Sequence, residues 1–277
     1  MKFFEGCTAL ITGASAGLGA EFARQLAPYA GNLVLIARRA DRLEQLRAEL
    51  SARHPETSIF TLQVDLAKDG EVTRLVEWLS NQGLNIDFLI NNAGVGDHGE
   101  FADSEWDRIR QMIEVNITAL TRLTHALLPQ LRGNGRAAIL NVGSIAGMIP
   151  LPGSAVYAAT KAYVNSFSEA LRIELRGTGV TVSVLCPGPV ETEFFVVATR
   201  EGHEPVLATD EARQSFIVPV EEVVRVGLEA VIADRPRAIP GFVVAVSMAL
   251  AALLPLFFLR MILQKRFESM EAEPETV

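Results

Sequence analysis

The sequence predicts a doubly wound α/β domain, a parallel sheet with helices packed on both faces. Apolar runs alternate with helical patterns through residues 8–185, which is the signature of strand–helix–strand units. Several of these runs are apolar on successive residues rather than alternating, as strands buried on both faces are. A glycine-rich turn after the first run adds a ligand-binding corner at the carboxyl end of a strand.

The elements follow in order. A strand over Thr8–Ile11 leads through the glycine turn into a helix over Gly17–Tyr29. The second strand, Leu33–Ala37, precedes a helix over Ala40–Arg53, and the third, Ile59–Val64, precedes one over Gly70–Asn81. Phe88–Ile90 is the fourth strand, followed by a long helix over Ser104–Leu131; His125, among Leu123, Leu127 and Leu128, is expected to be packed. Ala137–Val142, a helix over Ala155–Arg176 and a sixth strand over Val180–Leu185 complete the alternation. Residues 186–218 lose the periodicity and read as a mobile segment over the site, of the kind that excludes water. This places the main domain at 1–240 and a C-terminal segment at 241–277.

That last segment is unusual. Gly241–Leu259 is nineteen residues without a charge, interrupted by Pro255. Its length touches the lower limit of a membrane span, but proline removes a backbone donor near one end. Three readings stay open: a buried or dimer-forming helix, a membrane contact or substrate-channel wall, and a true span.

Composition narrows the functional classes. At 277 residues and 49% hydrophobic, the chain has material for one large core. A net charge of −8 argues against a nucleic-acid partner, which needs a basic face. Cys7 and Cys186 sit in apolar runs and are expected to be reduced and buried, and no Cys or His spacing suggests a metal. The N-terminus runs directly into the first strand without a signal-peptide pattern, so a cytoplasmic location is expected, with membrane association left open.

Two groups of residues carry chemistry. Gly13, Ser15, Ala16, Gly17, Leu18 and Gly19 form the turn that opens the first helix, where free N–H groups meet a pyrophosphate. At the end of the second strand stand Arg38 and Arg39 rather than an acid. Arginine forks suit a 2′-phosphate, so NADP(H) is the expected cofactor. Asp65 follows the third strand, placed either to accept from an adenine amino group or to cap the next helix. Tyr157 and Lys161, four apart on a helix, present both side chains on one face. The ammonium is expected to lower the tyrosine pKa, making the phenol a proton donor or acceptor near pH 7.

Thr12–Gly19, Asp65-Leu66, Asn91-Asn92-Ala93-Gly94, Asn116, Ser144, Tyr157 with Lys161, and Pro187-Gly188 with Thr192 occur in one order over about residues 5–195. In this the chain resembles the short-chain dehydrogenase/reductase family. The resemblance implies a Rossmann-type sheet, a nicotinamide cofactor, and a homodimer or homotetramer. It implies that Ser144 donates to the substrate oxygen, Tyr157 delivers the proton, and Lys161 bonds the nicotinamide ribose. Asn116 would hold a water linking Lys161 to solvent. Leu66, Asn92, Ala93, Gly94, Pro187, Gly188, Val190 and Thr192 would line the cofactor. Many relatives close with a seventh strand and a glycine-bearing tail; Ala238-Ile239-Pro240-Gly241 and the apolar stretch depart from that form.

The expected substrate walls are Val95, Ile145, Met148, Ile149, Leu151, Val156, Val190, Phe194 and Phe195. They offer no cation, so a hydrophobic ketone, aldehyde or secondary alcohol is expected. Against this carbonyl reductase stand two alternatives. One is a membrane-associated reductase of fatty-acyl or sterol intermediates. The other is an NADP(H)-sensing binding protein. His98, between Gly96, Asp97 and Gly99, is expected to be a loop residue.

Overall fold

A computed structural model describes residues 1–198, 216–255, 257–261 and 263–265. Seven parallel strands form one sheet: β1 (Thr8–Thr12), β2 (Asn32–Ala37), β3 (Ser58–Gln63), β4 (Phe88–Asn91), β5 (Ala137–Val142), β6 (Val180–Leu185) and β7 (Arg237–Ala238). Their order is β3-β2-β1-β4-β5-β6-β7. Ile11 lies opposite Leu35 on one side and Ile90 on the other, so the order reverses between β1 and β4. Doubly wound sheets bind ligands at that crevice.

Successive strand residues feed opposite layers, as the two-residue period requires. Ala9, Ile11, Leu33, Leu35, Phe88 and Ile90 join one core with α1 (Gly17–Leu26) and α2 (Ala40–Arg53). Leu10, Val34, Ile36, Leu89 and Ile139 join the other, with α3 (Glu71–Asn81), whose Leu75 and Leu79 face inward. Both faces of the central strands are thus dry, as their unbroken apolar runs imply.

The long helix expected over 104–131 is divided. It consists of α4 (Trp106–Ile113), a π-helical stretch over Glu114–Ala119, and α5 (Leu120–Gly133). The buried residues Val115, Ala119, Leu123, Leu127 and Leu131 recur every four positions. An ideal helix of 3.6 residues per turn drifts away from such a spacing. The wider π turn takes up one step of the drift. His125 is exposed, contrary to expectation, because it lies two positions from Leu123 and so points off the buried face.

Beyond β5 come α6 (Ala155–Glu174), α7 (Glu193–Ala198) and α8 (Val220–Ile232). Helix α8 packs Val223, Val224 and Leu228 into the α1 side of the core. A seventh strand is present although the Ala-Ile-Pro-Gly step gave no sign of one. It is two residues long, with Arg237 opposite Val184 and Ala238 opposite Leu185, too short for a periodic signal. Cys7 and Cys186 are free and buried.

The apolar C-terminal stretch forms α9 (Phe242–Leu253), then turns by 118° into a second helical segment, Phe257–Lys265. Among the described residues no single helix is long and apolar enough to cross a membrane. Pro255 lies at the break, where a missing N–H ends a helix. Val244 anchors α9, meeting the space above Gly188 at 3.3 Å. Most other large side chains of the hairpin are exposed, Phe242 by 84% and Leu253 by 81%.

Candidate active site

The carboxyl ends of β1 and β4 are joined by one buried hydroxyl. Thr12 Oγ1 donates to Ile90 O at 3.3 Å and accepts from the backbone N–H of Asn92 and of Ala93, each at 2.9 Å. Asn92 Nδ2 donates back to Thr12 O at 2.9 Å. The loop after β4 is therefore held directly over the glycine turn. Gly13 has φ +68°, and a Cβ there would come 2.9 Å from Ala93 Cα. A Cβ on Gly19 would come 2.3 Å from Gly13 O. Neither position tolerates a side chain, and the backbone cradle they leave fits a pyrophosphate at the start of α1.

This cradle opens into a cavity of about 790 Å³. Gly13, Ser15, Ala16, Gly17, Leu18, Arg38, Arg39, Asp65, Leu66, Asn92, Ala93 and Gly94 line one end. Ser144, Tyr157, Lys161, Pro187, Gly188, Val190 and Thr192 line its middle. Gly19 does not reach the cavity: it serves the close packing behind the loop. Asn116 is also set back from the cavity walls, buried to 1% exposure in the π-helical stretch.

Its amide bridges the loop after β4 and α6. Asn116 Oδ1 accepts from Val95 N–H, while Nδ2 donates to Val95 O and Thr160 Oγ1, each bond at 2.9 Å. Asn116 thus fixes the β4 loop to α6. Asp65 Oδ1 accepts from Ala67 N–H at 3.2 Å, which leaves its second oxygen toward Lys68 at 3.9 Å.

Ser144, two residues beyond β5, caps the short turn Ile145–Met148 with its Oγ accepting from Ala146 N–H at 3.0 Å. Asn165 Nδ2 donates to Ser144 O at 3.0 Å and holds this corner from α6. Lys161 is 4% exposed, donates to Val142 O at 2.8 Å, and lies 5.9 Å from the Tyr157 ring centre. Burial depresses its pKa to about 8, only partly opposed by nearby Cys186.

The tyrosine departs from the expectation. Burial raises Tyr157 to about 12, with a hydrogen bond to Ser144 pulling the other way. Desolvation of a phenolate outweighs its favourable neighbours, although the cavity leaves part of the ring accessible and moderates the penalty. At neutral pH the phenol is protonated and the lysine carries its charge.

The substrate end is apolar but not by the residues expected in every case. Val95, Ile145, Ile149, Leu151, Val190 and Phe194 line it. Met148 and Val156 do not. Val156 precedes Tyr157 on α6, and a one-residue step turns its side chain about 100° away; it lines a small neighbouring hollow. Met148 is the last residue of the turn after Ser144 and does not reach the cavity. The side chain of Phe195 lies outside the described residues, as does 199–215 of the segment expected to cover the site.

Several wall residues carried no sequence signal. Phe216, Ile217, Met248 and Leu263 reach the cavity from parts of the chain without periodicity or family motifs. His98 is in a loop as expected, but it also lines the cavity, with Nδ1 3.0 Å from Ser154 Oγ. Phe194 stands against Tyr157 with ring centres 5.6 Å apart.

Comparison with known proteins agrees with this geometry. The family model for short chain dehydrogenase matches residues 7–201. A sulfoacetaldehyde reductase from Chromohalobacter salexigens is 40% identical over 223 residues, 75% of this chain and 86% of that protein. A short-chain dehydrogenase from Sphingobium yanoikuyae, solved with NADPH, superposes with a TM-score of 0.76 at 30% identity, covering 98% of this chain and 97% of that one. A bulky-bulky ketone specific alcohol dehydrogenase from Comamonas testosteroni gives 0.71 at 27% identity, with 98% and 96% covered. A glycine cradle at the β1–β4 crevice, a serine, tyrosine and lysine meeting beside it, and a family match over most of the chain lead to one assignment: this protein belongs to the short-chain dehydrogenase family, oxidoreductases that use a nicotinamide cofactor.

Proposed function

We propose that the protein reduces the carbonyl of a neutral, apolar substrate with NADPH, or runs the reverse oxidation of a secondary alcohol. The observation that carries this is the shared cavity, in which Ser144, Tyr157 and Lys161 separate a glycine-and-arginine end from an apolar end. When bound between the glycine cradle and Lys161, a nicotinamide cofactor would supply or accept the hydride. Ser144 Oγ donates to the substrate oxygen, and the Tyr157 phenol, protonated at neutral pH, hands it a proton. Lys161 holds its positive charge beside that oxygen and orients the cofactor. Asn116 positions the Val95 loop and ties it to the Thr160 hydroxyl on α6. Position and electrostatics are the protein's contribution.

The cofactor preference rests on Arg38 and Arg39. Arg39 Nε and Nη2 lie 3.3 Å from Ser15 Oγ, so arginine and hydroxyl converge at the adenosine end. Arg38 lines the same end and is exposed. Removing a charged hydrogen bond costs about tenfold or more. Arg39→Ala is expected to weaken NADPH binding by about ten- to hundredfold and NADH binding by less than about threefold. Equal losses for both cofactors in a fluorescence titration would refute the phosphate reading.

The relative from Chromohalobacter salexigens is named for an anionic aldehyde, which gives the rival substrate class. Neutral aryl and branched ketones are expected to exceed sulfoacetaldehyde in kcat/KM by about a hundredfold. The reverse order would overturn the apolar assignment.

A second reading is favoured by the C-terminal hairpin, whose exposed Phe242, Leu250, Leu253 and Phe257 adjoin Met248 and Leu263 of the cavity wall. On this reading residues 1–240 form the catalytic domain and 241–277 an apolar appendage. That appendage rests on a lipid surface and passes lipid carbonyls, fatty-acyl or sterol in kind, to the site. The full chain should then float with phosphatidylcholine–phosphatidylglycerol vesicles, and a Phe242→Ser, Leu253→Ser double variant should stay below. Failure of the wild type to float leaves a cytoplasmic homodimer or homotetramer, with the hairpin buried between subunits.

A further inference from the structure

Helix α7 begins at the cofactor cleft and carries an acid toward its arginines. Glu193 Oε2 accepts from Arg39 Nη1 at 2.8 Å, and Glu193 Oε1 accepts from Arg42 Nη1 at 2.5 Å. Arg39 is the same residue whose other nitrogens converge on Ser15 Oγ. The carboxylate therefore bridges Arg39 and Arg42 from the start of α7, while Ser15 Oγ accepts from Arg39 on the glycine turn.

Its placement is fixed at both ends. Thr192 Cγ2 lies 3.3 Å from the Cβ position of Gly17, seating the start of α7 on the glycine turn. Phe194, the next residue, packs on Tyr157. Glu193 is 47% exposed, and Arg39 and Arg42 are 44% and 42% exposed. Exposed ion pairs of this kind are weak and salt-screened, so a dianion brought by a ligand displaces a carboxylate monoanion from such a pair.

We propose that Glu193 sets cofactor discrimination: its carboxylate occupies the Arg39–Arg42 pair as an internal competitor of a 2′-phosphate. A dinucleotide with that phosphate must draw Arg39 away from Glu193, whereas one without it leaves the clasp of Arg39, Arg42 and Glu193 intact. The proposal rests on the NADP(H) reading given above. Glu193 thus lowers the preference for the phosphorylated cofactor below what Ser15, Arg38 and Arg39, which line the cavity, would give alone.

The test is calorimetric titration of the full chain with adenosine 2′,5′-bisphosphate and with 5′-ADP, probes that need no turnover. Glu193→Gln keeps the side chain's size on an exposed surface, and a melting curve verifies its fold. In the variant, affinity for adenosine 2′,5′-bisphosphate should rise about three- to tenfold, with 5′-ADP affinity changed by less than about twofold. The gain should shrink in about 0.5 M salt as the clasp is screened. If the wild type prefers adenosine 2′,5′-bisphosphate but Glu193→Gln leaves that preference unchanged or weakens it, Glu193 is no competitor, while the NADP(H) reading stands. If wild type and variant both bind the two probes equally, the phosphate reading fails and the proposal falls with it.

Discussion

Tyr157→Phe should lower the rate of carbonyl reduction by about 10²- to 10⁴-fold, the range that a positioned general acid contributes. The variant removes one oxygen. Its ring keeps the contact with Phe194 at 5.6 Å and its place on α6, so the cavity wall is unchanged. The glycine cradle is built from β1, β4 and α1, away from the phenol, so the part that would hold the pyrophosphate is unchanged by the substitution. Cofactor affinity should therefore stay within about twofold. Because the loss concerns an interaction made with the reacting oxygen, kcat should fall while KM stays nearly constant. Single-turnover rates under saturating NADPH measure it. A variant retaining more than a tenth of the wild-type rate would remove Tyr157 as proton donor and turn attention to Ser144.

What was legible in the sequence follows from where the physics is local. Strands β5 and β6 match their expected bounds because Ala137–Leu140 is a continuous apolar run and Val180–Leu185 is rich in β-branched residues, broken only by the small hydroxyls Thr181 and Ser183. The glycine turn was legible because its steric demand is written in residue identity: Gly13 and Gly19 stand where a Cβ would meet backbone. That Gly19 faces packing rather than the cavity was not legible, since both demands select glycine. The π-helical stretch escaped because its apolar spacing of four resembles an ordinary helix locally and differs only in accumulated phase.

The pocket walls were legible only near motifs. Ile145, Ile149 and Phe194 lie within a few residues of Ser144 or Thr192, whereas Met248 and Leu263 reach the cavity from 56 and 71 residues beyond Thr192, the last motif residue. The tyrosine's raised pKa was hidden for a related reason. Helical spacing places Lys161 near Tyr157, but it does not report how completely the fold desolvates both.

That desolvation makes Lys161 the second test. Its folded pKa is about 8 against an ordinary 10.5, so the native state releases a proton that the unfolded chain still holds. Between those values the unfolded state binds more protons, and stability rises with pH through that window. Below about pH 8 the buried ammonium costs the fold about 3 kcal/mol. Lys161→Met removes this cost but also leaves Val142 O without its donor, a loss of about 1–3 kcal/mol. The two offset each other near pH 7, so the slope rather than the absolute stability is decisive. Denaturant melts at pH 7 and pH 10 should show the wild type gaining about 2–3 kcal/mol on the variant. Catalysis should respond in the opposite sense. Wild-type reduction needs the ammonium and a protonated phenol, so its kcat/KM should fall above about pH 8, where the phenol, at about 12, still holds its proton. Alcohol oxidation needs the phenol's proton gone and should rise with pH over the same range. Lys161→Met should be slower than wild type by at least about 10²-fold at pH 7, with no inflection near 8. A wild-type reduction profile flat from pH 7 to 10, with parallel stability slopes in both proteins, would place the working charge somewhere other than Lys161.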